Sequence, residues 1–304
     1  MELSFEIWPN APYEGMDIVG VALNSWGDKS VEWCMERSAK HGYKAVDFIF
    51  DKFLELDEKE YAATVERVPA LAKKLKMKIA SIGAHHLSIT NKKWRVAGAM
   101  QMMKKSIDLA SAIGAPTVAT YIAGYYNPPT YILMTPKEAK DLFVKMIKEL
   151  ADYAEDKGVT LSIEPHEGTI INTPEVTLEL MERINSKNVF ITIDFGGIEV
   201  GMKAHKTVEE LIGQFKGLVN HVHAKDVTGA PGNWNMCWFG GGQVNFQRYA
   251  DALRKINYKG YICVEWEGWF KGGLAGVGET YGQGLADFDR AAPEAREFLS
   301  RYFS

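Results

Sequence analysis

The chain has 304 residues, a formal net charge of −4, 46% hydrophobic residues and 24% charged residues, which is ordinary globular composition and excludes disordered and fibrous classes. A balance this near neutral offers no basic face for nucleic acid, and the pairs Lys73-Lys74 and Lys104-Lys105 fall on amphipathic stretches where a solvated face accounts for them. No stretch reaches the roughly 18 unbroken apolar residues of a membrane helix, and Met1-Glu-Leu-Ser-Phe-Glu lacks the basic start of a signal peptide, so a cytoplasmic protein without membrane contact is expected.

Residues 1–15 read as a lead-in, with Phe5, Ile7 and Trp8 ahead of two prolines, open between an extra strand and a segment near a site. Regular patterning begins at Ile18–Leu23, expected as strand one, and a helix follows from Ser30 to His41-Gly42, where glycine suits the left-handed C′ position. Strand two is expected at Ala45–Phe50, a helix over Glu58–Leu75, and strand three at Lys78–Gly83, delivering His85 and His86. Lys93–Ile113 is helical and stops at Gly114-Ala-Pro116; Thr117–Ile122 is strand four and leads into a loop, Gly124–Thr130, long enough to cover a pocket.

Thr135-Pro-Lys-Glu138 carries a capping-box pattern opening a helix to Lys157-Gly158. Leu161-Ser-Ile-Glu164 is strand five, Thr173-Pro starts the next helix, and Val189–Ile193 is strand six. A helix from Thr207, strand seven at Leu218–His223, a helix over Asn245–Ile256, strand eight at Tyr261–Val264 and a closing helix at Ala286–Tyr302 complete the chain. Strict strand and helix alternation, eight times over, marks a parallel sheet with helical crossovers, and closed on itself it is a single (β/α)8 TIM barrel domain over residues 1–304. An open doubly wound sheet would want a phosphate turn after strand one, and Leu23-Asn-Ser-Trp-Gly27 is neither GxGxxG nor a P-loop.

Strands five to eight end in Glu164, Asp194, His223 and Glu265, at the end of the barrel where catalytic groups sit. Neighbouring strands stand about 5 Å apart, so these side chains can converge on one divalent cation, with Mn2+ favoured and Mg2+, Co2+ or Zn2+ suitable for the same oxygen and nitrogen set. Asp194 by itself is explained equally well as an N-cap. His223 is expected as the ligand and His221, deeper on the same face, as a core histidine bonded to a neighbour. His166, two residues past Glu164, is a candidate acid or base, or else caps its loop. His86 and Lys225 are candidate substrate contacts, the lysine either supporting an oxyanion or pairing with a rim carboxylate. Trp234, Trp238, Phe239, Trp266 and Trp269 crowd one rim as a platform for a sugar or aromatic face. Cys34, Cys237 and Cys263, odd in number and without metal spacing, read as buried small hydrophobes.

The chain resembles the xylose-isomerase-like TIM-barrel superfamily through Ser162-Ile-Glu-Pro-His166, Thr192-Ile-Asp-Phe-Gly196, His221-Val-His-Ala-Lys-Asp226, Gly240-Gly-Gly-Gln-Val-Asn-Phe246 and Gly260-Tyr-Ile-Cys-Val-Glu265. The resemblance implies one divalent ion on Glu164, Asp194, His223 and Glu265. Ketose 3-epimerases of the group carry a histidine three residues after the aspartate and an arginine six after the metal histidine, where this chain has Gly197 and Gly229. The Glu-Pro-His-Glu stretch and aromatic rim look more like members acting on larger keto-sugars, including the metal subunit of C-glycoside deglycosidases.

The expected activity is therefore isomerisation or epimerisation of a keto-sugar through a metal-stabilised enediolate, with Glu164, Glu265 or His166 moving the proton. Elimination of an aglycone from a 3-keto glycoside is the alternative. A partner-dependent or non-catalytic metal-binding subunit is a further one, leaving a homo-oligomer or hetero-complex open.

Overall fold

The computed structural model describes residues 1–7, 29–123, 134–166, 169–202, 205–265 and 288–303. Eight parallel strands close into a barrel: β1 (Glu2–Ile7), β2 (Ala45–Ile49), β3 (Lys78–Gly83), β4 (Thr117–Thr120), β5 (Thr160–Ile163), β6 (Val189–Asp194), β7 (Val219–Ala224) and β8 (Tyr261–Val264), with β1 completing the ring between β8 and β2. Helices α1 (Val31–Lys40), α2 (Glu58–Leu75), α3 (Lys93–Ile113), α4 (Pro136–Asp156), α5 (Pro174–Ile184), α6 (Val208–Gln214), α7 (Phe246–Lys255) and α8 (Phe288–Phe303) belong to the outer ring.

Strand one is a correction to the sequence reading. Its place is filled by Glu2–Ile7, which pairs through Phe5 with Val264 of β8 and with Val46 of β2, while Ile18–Leu23 lies outside the described residues. Glu2, Ser4 and Glu6 alternate with Leu3, Phe5 and Ile7, the period-two pattern of a barrel strand, while residues 18–23 form the longer apolar run in the sequence. Strand four also breaks early, at Thr120, and Ile122–Ala123 pairs instead with Leu87–Ser88 at the rim. The expected loop after β7 contains an antiparallel hairpin, Asp226–Ala230 with Asn233–Cys237. The Gly124–Thr130 loop lies outside the described residues.

Helix starts follow their capping chemistry. Ser30, Asp57, Thr135, Thr173, Thr207 and Asn245 each accept a backbone N–H of the first turn, and Thr135–Glu138 and Thr207–Glu210 form full capping boxes. Gly114 takes φ +79° where α3 ends, a conformation costly for any residue with a Cβ.

The apolar core lies between strands and helices, and the barrel interior departs from the usual filling of branched apolar residues. Ser4, Asp47, Ser81, Ser162, Thr192 and His221 are all essentially fully buried. Asp47 accepts from Ser81 Oγ at 2.7 Å and faces His221 Nε2 at 3.1 Å, and Ser162 bonds Thr192 at 2.6 Å. Buried polar groups are tolerated when paired this way, and their arrival from six of the eight strands makes a polar floor inside the barrel. Removing residues 2–7 opens the ring between β8 and β2 and is expected to abolish cooperative unfolding in a circular-dichroism melt; an unchanged melt would assign closure to another segment.

Candidate active site

Strand alternation sets the site in pairs. Ser162 and Glu164, Thr192 and Asp194, His221 and His223, Cys263 and Glu265 are each two residues apart, so each pair shares one face, the first member deeper and the second at the mouth. Cα register places His223 level with Asp194 on β6 and with Cys263 on β8. Glu164 and Glu265 lie just past their strands but stay in the ladder, their N–H groups bonding Thr120 O at 2.8 Å and Ala224 O at 3.1 Å.

The four expected ligands converge. His223 Nδ1 lies 3.1 Å from Glu164 Oε2 and 3.5 Å from Glu265 Oε2, and Lys225 Nζ lies 3.1 Å from Asp194 Oδ2 and 2.9 Å from Glu265 Oε1. Exposure of Glu164, Asp194, His223 and Glu265 is 3%, 2%, 2% and 6%, so all four are sheltered from water. Donor atoms about 2.1 Å from one ion at near-right angles stand about 3 Å from each other, the spacing seen around His223. Glu164, His166 and Asp194 also present donor atoms within 4.8 Å of one another. Three carboxylates, one imidazole and one ammonium leave a negative excess in a buried place, and a divalent cation fits that donor set.

Asp194 does cap the short turn Phe195–Gly197: Oδ1 accepts from Gly196 N at 2.9 Å and Oδ2 from Gly197 N at 3.0 Å. A carboxylate has about four lone-pair sites, so capping and cation binding are compatible. Phe195 is fully buried 4.3 Å from the Tyr249 ring, and Tyr249 Oη bonds both Phe195 O and Glu199, which holds the backbone carrying Asp194. A Cβ at Gly197 would stand 2.9 Å from Asp194 Oδ2, and one at Gly196 would stand 2.7 Å from the Lys225 stem. Glycine at both positions lets the lysine and the aspartate meet.

Charge states follow from the neighbours. Burial opposes ionisation of Glu164, but His223 and then Lys225 outweigh it and hold the carboxyl well below its usual range. Burial prevails at Asp194 and raises its carboxyl, with Lys225 opposing. Burial likewise pushes His85 down to about 4, so it is neutral near pH 7.

The remaining expected site residues distribute around the mouth. His166 is half-buried and stacked on Tyr121 at 5.6 Å, and Tyr121 meets His85 at 4.6 Å. His86 Nε2 pairs with Asp51 Oδ2 at 3.1 Å on the rim after β2 and β3. His221 is the core histidine, bound to Asp47. Trp234 is buried in the molecule's apolar core, not presented as an open face at the rim, Phe239 packs on Phe246 and Phe298, and Trp266 and Trp269 lie outside the described residues. The sequence reading missed Asp47, Asp51 and Tyr121. An aspartate at an inward position of the apolar run Ala45–Phe50 was the available signal for the first; the other two act through partners distant in sequence.

Asp226 organises the loop behind Lys225. Its Oδ1 accepts from Val227 N and Val244 N at 2.9 and 3.2 Å, and its Oδ2 from Gly240 N and Gly242 N at 2.8 and 3.0 Å. A Cβ on Gly242 would lie 2.1 Å from Asp226 Oδ1, which explains the glycine run there.

A family model described as a xylose isomerase-like TIM barrel matches residues 35–297. An L-ribulose 3-epimerase of Methylomonas sp. (strain DH-1) is 27% identical over 182 residues, 56% of this chain and 56% of its own length. An inosose dehydratase of Glaesserella parasuis serovar 5 (strain SH0165) is 29% identical over 136 residues, 39% of this chain and 45% of its own length. The chain thus spans about half the length of these curated relatives. A crystal structure of the IOLI protein with a binding zinc atom superposes with a TM-score of 0.72 at 17% identity, covering 100% of both chains, and shows the same fold.

Asp226→Ala orphans four backbone donors and is expected to cost more than about 3 kcal/mol, read as a lowered thermal midpoint; a loss near zero would remove Asp226 as the loop anchor. His85 binds a proton more weakly folded than unfolded, so its contribution to stability is intact above pH 6.5 and is lost as pH falls toward about 4. The amount is on the order of 3 kcal/mol, and urea midpoints of His85→Gln should fall less steeply over that window than those of the unmodified protein.

Proposed function

The chain belongs to the xylose isomerase-like TIM barrel family, and from the carboxylate and imidazole cluster at its strand ends we propose a divalent-metal-dependent isomerase or epimerase of a keto-sugar. The observation that carries this reading is the placement of His223 Nδ1 between Glu164 and Glu265, with Asp194 joined to the same group through Lys225. A sugar epimerase and an inosose dehydratase among its relatives support carbohydrate chemistry, and the zinc-containing IOLI structure of the same fold supports a metal.

Glu164, Asp194, His223 and Glu265 would hold the ion, and a set of three carboxylates and one imidazole suits Mn2+. When bound, the ion supplies Lewis-acid polarisation of a ketone and its neighbouring hydroxyl, raising C–H acidity to where a carboxylate held as low as Glu164 can act as base.

Glu164 and Glu265 approach His223 from β5 and β8, on either side of β6 and β7, so one can take a proton from one face of a substrate carbon and the other return one to the opposite face. That exchange is epimerisation; return at the adjacent carbon is isomerisation. His166, on the Tyr121 ring beside Glu164, is a third proton carrier. Lys225 fixes Glu265 Oε1 and Asp194 Oδ2 and places positive charge where substrate oxygen gains negative charge. His86, oriented by Asp51, and buried neutral His85 line the opposite rim as hydroxyl contacts.

Gly197 and Gly229 separate this site from the ketose 3-epimerase pattern for a physical reason. A side chain at 197 would meet Asp194, and Gly229 takes φ +114° with a Cβ position only 2.3 Å from Asn233 O. Substrate recognition must come from other residues, consistent with a larger keto-sugar. The inosose dehydratase relative favours a second reading, in which loss of a β-substituent after proton removal makes the enzyme a lyase.

Wild-type protein loaded with Mn2+ is expected to wash deuterium from solvent into a C–H beside the ketone of a keto-sugar; label without a released fragment indicates isomerase or epimerase, and release indicates lyase. Glu265→Gln should reduce turnover about 100-fold or more. Undiminished turnover in that variant would exclude the catalytic reading, and an unfolded product would favour a structural metal. Removal of metal by a chelator should abolish the label and readdition of Mn2+ restore it.

A further inference from the structure

We propose a second cation site one level below the mouth, formed by His221, His223 and Cys263 and selective for a thiophilic ion such as Zn2+. Donor atoms of these three residues lie within 4.8 Å of one another, and all three are buried to 2% exposure or less. Their convergence follows from the alternation that builds the upper set. His221 and Cys263 precede His223 and Glu265 by two residues, and Cys263 and His223 are direct partners across β7 and β8.

Two features fit this place for a soft cation. First, its donors are two imidazoles and a thiol, whereas the upper set is three carboxylates and one imidazole, so thiophilic and oxygen-preferring ions sort to different levels. Second, a carboxylate already stands behind His221. The His221 Nε2 faces Asp47 Oδ1 at 3.1 Å, and Asp47 is in turn fixed by Ser81 Oγ at 2.7 Å, leaving the second imidazole nitrogen to bind. A carboxylate behind a histidine is the support that metal-bound imidazoles commonly use. The thiol gives up its proton to solvent on binding. His223 lies in both donor sets and meets His221 edge to face with ring centres 5.0 Å apart, so the lower level is one side chain removed from the mouth. An ion held there competes with the upper set for His223.

The inference shares His223 with the proposed catalytic site but does not need that site to be catalytic. X-ray absorption at the zinc edge, on full-length protein stripped with a chelator and given one equivalent of Zn2+, is expected to show one sulfur at about 2.3 Å beside nitrogen at about 2.0 Å. Cys263→Ser, with Cys263→Ala as a second variant in case the first misfolds, should lose the sulfur shell. His221→Gln should weaken Zn2+ binding about tenfold or more. A shell of oxygen and nitrogen alone in the wild type, or sulfur persisting in both Cys263 variants, would overturn the site. Mn2+ titration of chelator-stripped wild type without added Zn2+ separates the two readings: failure to bind Mn2+ counts against the proposed function and leaves the sulfur result standing.

Discussion

Like charge brought together out of water is the constraint on which this molecule depends. Glu164, Asp194 and Glu265 are nearly inaccessible and cluster around one imidazole and one ammonium. Left to burial alone, each carboxyl would be pushed toward neutrality, as Asp194 is; Glu164 stays ionised because His223 and Lys225 are beside it. Everything near the mouth supports that balance, from the glycine at 196 that lets the Lys225 stem pass to the paired amides under Asp194.

The support is layered. Helices and the outward faces of the strands supply a conventional apolar core, while the barrel interior beneath the cluster is polar and internally bonded through Asp47, Ser81, His221, Ser162 and Thr192. A barrel filled with valine and isoleucine would be easier to stabilise. A polar floor instead fixes the orientation of histidines and hydroxyls at an angle that loose apolar packing would not define. The same logic recurs behind Lys225, where one carboxylate, Asp226, gathers four backbone amides and shapes the glycine loop.

Chemistry at the mouth then follows from position rather than from any single residue. Two glutamates on strands separated by two others, one lysine binding the intervening aspartate, and imidazoles on the far side of the mouth come together only because the ring closes. The lower pair of His221 and Cys263 gives the barrel a second, softer donor set built by the same alternation.

Much of this was legible in the residues. Cap signals located the helix starts at Ser30, Thr135, Thr173, Thr207 and Asn245, because capping is local chemistry between residues three apart. Strand ends at Glu164, Asp194, His223 and Glu265 stood out because a polar group closing an apolar run needs a reason. Strand one did not, since Glu2–Ile7 is weakly apolar and earns its place only by pairing with β8 and β2, partners more than 250 and about 40 positions away. The sequence by itself determined the alternation, and with it which side chains share a face. Only the tertiary structure decided which of those faces meet, that Asp47 answers His221, that Lys225 bridges Asp194 and Glu265, and that Gly197 leaves no room for a side chain, because these depend on distances across a closed ring that local preference does not encode.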